Sequence, residues 1–161
     1  MDKVKVAFVG CGGICNFHLS HLLQFDDVTY VGFMDIRPER AAEKAALAGG
    51  AKVFDDYVQM LDEARPDVLY ICVPPDQHGF IEFEAIKRKI HFLVEKPMAL
   101  DLKLAEEIRD AAAEAGIITA VGFQDRYLDI IEKTKEFLQG RQVGLVDGAW
   151  MGGIPGVYWW S

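Results

Sequence analysis

The feature that most constrains the fold is the regular alternation of short apolar runs with amphipathic segments. "DVLYICV" at 67–73 is almost wholly apolar, which is typical of a strand buried on both faces of a sheet. Strands that alternate with helices predict a doubly wound α/β domain, with a mainly parallel sheet and helices on both faces. The predicted strands are 4–9, 28–35, 51–54, 67–73, 91–94 and 117–123, and the predicted helices are 14–25, 38–49, 55–64, 77–89, 102–116 and 125–140.

A glycine-rich turn, "VGCGGICNFH", joins the first predicted strand to the first predicted helix. Gly10 permits a tight turn, and Gly12 has no side chain to keep a phosphate group away from the backbone. The free N–H groups of the following helix complete an anion site. Cys15 stands where a third glycine is usual, and it is small enough to replace that glycine at some packing cost. The alternative is a plain strand-to-helix turn. The turn residues predicted to bind a dinucleotide are Gly10, Cys11, Gly12, Gly13 and Ile14.

An acidic residue, Asp35, ends the second predicted strand. Its distance from Gly12 is close to the ~20 residues at which an acid binds the ribose hydroxyls of a dinucleotide. A carboxylate there accepts the hydroxyls of NAD and repels the 2′-phosphate of NADP, whereas the nearby Arg37 can accept that phosphate. We therefore expect NAD, with NADP left open, and we expect Ile36 and Arg37 to lie beside Asp35 in the site. The alternative for Asp35 is a helix-capping role.

Composition excludes several other classes of protein. The net charge of −8 argues against a nucleic-acid surface, which requires a basic face. No segment approaches the roughly 20 apolar residues of a membrane span, and the start of the chain has no secretory signal, so we expect a cytoplasmic protein. Three cysteines are too few for a zinc site, so no metal is expected.

The cysteines raise a question of reactivity. Cys11 and Cys72 are expected at the carboxyl edges of neighbouring strands, and Cys11 and Cys15 lie near a helix N-terminus, which lowers a thiol pKa. Buried, inert thiols are the favoured interpretation, and redox sensing is the alternative.

Five segments together give the sequence a family resemblance. In chain order they are "VGCGGICNFH", "FMDIRPERA", "ICVPPDQH", "FLVEKPMAL" and "AVGFQDRY". With them the sequence resembles the Gfo/Idh/MocA oxidoreductases, which include glucose–fructose oxidoreductase and inositol dehydrogenase. The resemblance implies a nicotinamide-binding Rossmann domain at 1–123, then a helix and the first strand and loop of an incomplete substrate domain at 124–161. The implied reaction is hydride transfer at a secondary hydroxyl or carbonyl of a sugar, polyol or similar small molecule.

The resemblance also implies roles for a segment that ends the fifth predicted strand. Lys96 of "EKP" would lie beside the nicotinamide and the substrate carbon, as the catalytic residue. Glu95 would lie near the nicotinamide ribose, and Pro97 would shape the turn, with a cis bond as one option. The alternative for Glu95 and Lys96 is a solvated surface pair. Their place at a strand's carboxyl end favours the functional role, because open α/β sheets bind ligands there.

Two further segments contribute expected cofactor contacts. Val73, Pro74 and Pro75 would flank the cofactor, and His78 would follow near the site, more as a packing or capping residue than as a catalytic one. Arg126 of "GFQDRY" is expected to contact cofactor or substrate, with an ion pair at a helix start as an equal alternative.

The chain departs from the family pattern after the sixth predicted strand. The family supplies a further Asp and His from its second domain, and nothing here matches that segment. We therefore expect little or no activity from this chain alone, and a non-catalytic NAD(H)-binding sensor or interaction module is the alternative function. Aromatic residues at the carboxyl end predict self-association through residues 143–161; they are Trp150, Tyr158, Trp159 and Trp160.

Overall fold

The computed structural model describes residues 3–149 and 151–152. The chain divides into two compact units, with the boundary between Gly122 and Phe123. The strands of the first unit are β1 (Val4–Val9), β2 (Val28–Met34), β3 (Val53–Phe54), β4 (Val68–Ile71), β5 (His91–Val94) and β6 (Thr119–Val121). Its α-helices are α1 (Gly13–Leu22), α2 (Pro38–Leu47), α3 (Tyr57–Ala64), α4 (Phe80–Lys87) and α5 (Leu102–Ala115).

The six strands form one sheet in the order β3-β2-β1-β4-β5-β6, and every neighbouring pair is parallel. The chain order reverses between β1 and β4, so the crossover helices leave these two strands in opposite directions. This reversal opens a crevice at the carboxyl ends of β1 and β4, which is where sheets of this kind bind ligands. The predicted doubly wound, parallel α/β fold is confirmed.

Alternate residues along the central strands supply two separate cores. On β1, Ala7 and Val9 join a cluster that contains Leu61 of α3, whereas Val6 and Phe8 join a second cluster with Leu19 of α1. Helices α3, α4 and α5 therefore cover one face of the sheet, and α1 and α2 cover the other. Full burial of a side chain such as Leu19 contributes about 1.5–3 kcal/mol to stability.

Local signals set both ends of α5. Asp101 caps α5, since its Oδ1 accepts the N–H of Leu104 at 2.9 Å, and Gly116 ends the helix in the left-handed conformation. The helix predicted over 77–89 is wrong at its start. Residues Pro75–Gln77 form a 3-10 turn, and Gly79, with φ +107°, separates that turn from α4. The strand predicted over 51–54 is shorter, because only Val53–Phe54 pair with β2.

The second unit begins with a 3-10 turn, Gln124–Tyr127, and continues as helix α6 (Asp129–Leu138). Residues 141–149 and 151–152 contain no strand, and the start of a substrate domain expected over 124–161 remains a prediction. Trp150 and residues 153–161 lie outside the described residues. The self-association surface predicted over 143–161 therefore remains a prediction.

Membrane-spanning helices and clusters of metal ligands are both absent from the described residues. No helix there is long and apolar enough to cross a membrane. Over the same residues, no cluster of three or more His, Cys, Asp or Glu side chains has the geometry of a metal site.

Candidate dinucleotide site

The turn after β1 brings two strand ends into close contact. Gly10 has φ +86°, and a Cβ at this position would lie 2.4 Å from the carbonyl oxygen of Cys72. The Gly10 N–H donates to the Met34 carbonyl at 2.8 Å, which joins the turn to β2 as well. Only glycine fits here, because a side chain would collide with the β4 backbone and strain a left-handed conformation. The turn predicted from "GCGG" thus lies at the reversal of strand order.

The start of α1 has the character of an anion site. Gly12 is the N-cap, no side chain caps the helix, and the first turn contains no acid. A Cβ at Gly12 would meet only one atom, an Nη1 of Arg40 at 3.9 Å, so the space in front of the helix N-terminus is open. Free backbone N–H groups, the helix dipole and a guanidinium therefore face one volume. This combination fits the pyrophosphate of a dinucleotide.

Arg40 is a functional candidate that our sequence reasoning missed. It lies on α2 beside the buried Ala41 and one turn before the buried Lys44 and Ala45, so it faces inward toward α1. Within the described residues its guanidinium forms no ion pair. The signal was available in the sequence, because helical spacing places Arg40 on the same face as those buried residues.

Asp35 holds the glycine turn as well as facing the site. Its side chain is 8% exposed, with Oδ2 accepting the N–H of Cys11 at 2.7 Å and Oδ1 accepting the N–H of Arg37 at 2.8 Å. A carboxylate has about four acceptor positions, so lone pairs remain for ribose hydroxyls. The neighbouring Ile36 is 89% exposed, and Arg37 is the exposed N-cap residue of α2.

The three thiols are buried and free. Cys15 is fully buried in the core between α1 and the sheet, in the place where a glycine is usual. A hydrogen bond with Cys15, followed by burial, raises the pKa of the Cys11 thiol, so the expected lowering by the helix N-terminus is wrong for Cys11. Burial, with a smaller contribution from the Glu95 charge, raises the pKa of Cys72. The Cys11 and Cys72 thiols therefore stay protonated at neutral pH.

The segment after β4 forms a half-buried wall at the carboxyl edge, made of Val73, Pro74 and Pro75. His78 is buried, and its Nε2 donates to the carbonyl of Val73 at 3.1 Å. This contact stabilises the loop, in keeping with the packing role favoured for His78. Glu82 completes the loop, since its Oε2 accepts the N–H of Gly79 at 2.6 Å.

The "EKP" segment follows β5 and places its two charged residues in different environments. Glu95 is buried at 6% exposure, and its Oε1 lies 2.7 Å from Nε2 of His18 on α1. Lys96 is exposed at the carboxyl edge, and the Lys96–Pro97 peptide bond is cis. The alternative of a solvated Glu95–Lys96 pair is therefore wrong for Glu95, because the fold encloses its carboxylate.

Arg126 belongs to the second unit. It lies in the 3-10 turn Gln124–Tyr127 and places its guanidinium 5.7 Å from the centre of the Tyr127 ring. Within the part of the chain that the structure describes, Arg126 makes no ion pair, so the ion-pair alternative finds no support there. Its contact with cofactor or substrate remains a prediction.

The sheet order, the glycine turn and the open helix N-terminus define a dinucleotide-binding Rossmann domain. Residues 4–123 match the family model described as "Oxidoreductase family, NAD-binding Rossmann fold". The chain therefore belongs to the Gfo/Idh/MocA oxidoreductase family, and this part of it is an NAD-binding domain.

Individual relatives agree with the family match. The chain is 24% identical over 141 residues to myo-inositol 2-dehydrogenase of Thermotoga maritima, covering 88% of this chain and 42% of that protein. It is 31% identical over 127 residues to D-glucoside 3-dehydrogenase of Escherichia coli, covering 78% and 36%. The WlbA dehydrogenase of Chromobacterium violaceum, crystallised with NADH and UDP-GlcNAcA, superposes with a TM-score of 0.81 at 26% identity, covering 86% and 40%. The chain thus spans about two fifths of the length of these relatives.

Proposed function

We propose that this chain is the cofactor-binding part of an NAD-dependent oxidoreductase that transfers a hydride at a secondary hydroxyl or carbonyl of a sugar or polyol. The observation that carries the proposal is the contrast within "EKP", where an enclosed Glu95 precedes an exposed Lys96 at the carboxyl end of β5. A lysine amine presented at this edge of the sheet is available to a substrate bound above it.

Different residues of the site bind different parts of the dinucleotide. The open N-terminus of α1 and the Arg40 guanidinium hold the pyrophosphate, and the Asp35 carboxylate accepts ribose hydroxyls of the adenosine half. A buried carboxylate also repels a 2′-phosphate, which favours NAD over NADP. The Val73–Pro75 wall lies after the neighbouring strand and shapes the crevice.

Lys96 performs the proton transfer. NAD, held by the glycine turn and Asp35, would supply the hydride acceptor for this reaction. When the alcohol is oxidised, the amine of Lys96 takes the hydroxyl proton, and in the reverse direction the Lys96 ammonium returns it. The named relatives dehydrogenate inositol and glucosides, so hydroxylated rings are the substrate class proposed for this chain.

Cofactor titrations test the binding half of this proposal. We expect saturable NADH binding, followed by calorimetry, and NADPH binding weaker by about tenfold or more because of the Asp35 charge. Equal affinity for the two nucleotides would contradict the assignment of Asp35 as the selector. The absence of binding by either would contradict the cofactor role of the glycine turn.

A substitution at Lys96 tests the chemical half. Because this chain alone is expected to have little or no activity, formation of NADH is followed in a full-length protein that carries this domain, with NAD and myo-inositol or a glucoside as probes. We expect Lys96→Met to lower the rate by about 100-fold or more while NADH affinity stays within about threefold. Lys103→Met, at an exposed lysine of α5, is the matched control. Normal turnover by the Lys96→Met chain would refute the catalytic assignment.

A further inference from the structure

His18 is a partly enclosed histidine that is not among the residues assigned to bind the cofactor. It lies on α1 beyond the glycine turn, and its ring packs 5.3 Å from the ring of Tyr70 on β4. Its Nε2 lies 2.7 Å from Oε1 of Glu95, with side-chain exposures of 11% and 7%. The distance is that of a strong hydrogen bond to a carboxylate. One enclosed contact therefore joins α1 to the turn after β5 that contains Lys96.

The Glu95 carboxylate has little freedom to take another position. A Cβ at Gly122 would lie 2.6 Å from Oε1 and 2.9 Å from Oε2 of Glu95, so the end of β6 closes one side. The N–H of Lys96 donates to Oε2 at 3.2 Å, and the Glu95 N–H donates to the Ile71 carbonyl at 3.0 Å. Residues from α1, from the end of β6 and from the turn after β5 thus surround the carboxylate, and His18 is the partner on α1.

A buried carboxylate keeps one orientation only while its partners remain. Without the His18 donor, the Glu95 charge would be enclosed with one oxygen unpaired, which is costly. The carboxylate would then rotate toward another hydrogen-bond donor. Because the Lys96 N–H binds the other oxygen of the same carboxylate, the Glu95–Lys96 turn would move with it.

In a doubly wound sheet the two nucleotide halves lie on the two sides of the reversal in strand order. The glycine turn and Asp35 belong to the β1–β2–β3 side, and Glu95 belongs to the β4–β5–β6 side. We propose that His18 is a positioning residue, which holds the Glu95 carboxylate and the Lys96 turn in place for the nicotinamide half of the dinucleotide. The inference rests on the proposed function, because it takes the ligand to be NAD in the proposed orientation.

The test compares NADH with ADP, which contains the adenosine and pyrophosphate part only. We expect His18→Ala to weaken NADH binding by about tenfold or more, the value of one charged hydrogen bond. ADP binding should stay within about twofold, since that half of the site is separate. His18→Gln restores a donor near the position of Nε2, so NADH binding should recover to within about threefold of the unsubstituted chain. His21→Ala, at an exposed histidine of the same helix, is the matched control and should change neither affinity.

A double-mutant cycle with Glu95→Gln identifies the partner. If His18 acts through Glu95, the double variant should bind NADH no more weakly than the weaker single variant. Unchanged NADH binding in a folded His18→Ala chain, or equal losses of NADH and ADP, would overturn the proposal. If both His18 variants fail to fold, the pair is structural and the proposal is equally overturned. An unsubstituted chain that binds neither nucleotide would instead refute the proposed function.

Discussion

Replacing Asp35 separates its two duties, which are to hold the glycine turn and to select the nucleotide. In Asp35→Ala the buried N–H of Cys11 loses its 2.7 Å acceptor, while the N–H of Arg37, on an exposed residue, can turn to water. An orphaned buried donor costs about 2 kcal/mol, and the exchange of the second bond for water costs about 1 kcal/mol. The expected loss in the free energy of unfolding is therefore about 3 kcal/mol.

Asp35→Asn keeps one oxygen as an acceptor, so its loss should be smaller, about 1–2 kcal/mol. Both variants should still fold, since domains of this size have about 5–15 kcal/mol of stability. Urea unfolding followed by far-UV circular dichroism measures the difference. Asp26→Asn, at an exposed acid, is the control and should be neutral.

The same two variants report on nucleotide selection. Both remove the negative charge at the end of β2, so the preference for NADH over NADPH should fall by about tenfold or more in each. Unfolding of Asp35→Ala at the same urea concentration as the unsubstituted chain would refute the role of Asp35 in holding the glycine turn. A full preference for NADH in the neutral variants would refute its role in nucleotide selection.

Two further predictions concern buried titratable groups. Burial raises the pKa of Glu82 in the folded chain above its ordinary value of 4.5. The protonated acid therefore contributes its full stability below the pKa that Glu82 has in the unfolded chain. That contribution is lost as the pH rises through the higher pKa of the folded chain. The amide oxygen of Glu82→Gln can still accept the Gly79 N–H. This variant should therefore gain stability relative to the unsubstituted chain as pH rises above about 4.5. Glu114→Gln, which changes an exposed acid, is the control and should show no such gain. The raised pKa values of Cys11 and Cys72 predict that a maleimide at neutral pH labels neither thiol in the folded chain and labels both in urea, by mass spectrometry.

For both the Glu82 prediction and the thiol prediction, a specific result would contradict it. Parallel stability curves for the Glu82→Gln and unsubstituted chains would show that Glu82 titrates alike in the folded and unfolded states. Rapid labelling of the folded chain would show that the thiols are ionised or exposed, which would reopen the redox interpretation.

The sequence alone determined the order of elements, the parallel sheet and the position of the glycine turn. Buried strands are short apolar runs, and local rules place caps such as Asp101 and Gly116, so these features depend on neighbours in the chain. The same reasoning failed at the start of α4. Nothing in the apolar pattern shows that Gly79 adopts a positive φ and divides a 3-10 turn from the helix.

Only the tertiary structure decided which distant residues meet. Gly10 approaches the Cys72 carbonyl, Arg40 faces the open start of α1, and His18 pairs with Glu95, because parallel strands bring their carboxyl ends to one edge of the sheet. Burial followed from the same packing. The sequence placed Glu95 and Lys96 side by side, but the approach of Gly122 and α1 encloses the carboxylate and leaves the lysine exposed. Distances of this kind depend on how helices and strands pack across the fold, and no local pattern along the chain encodes them.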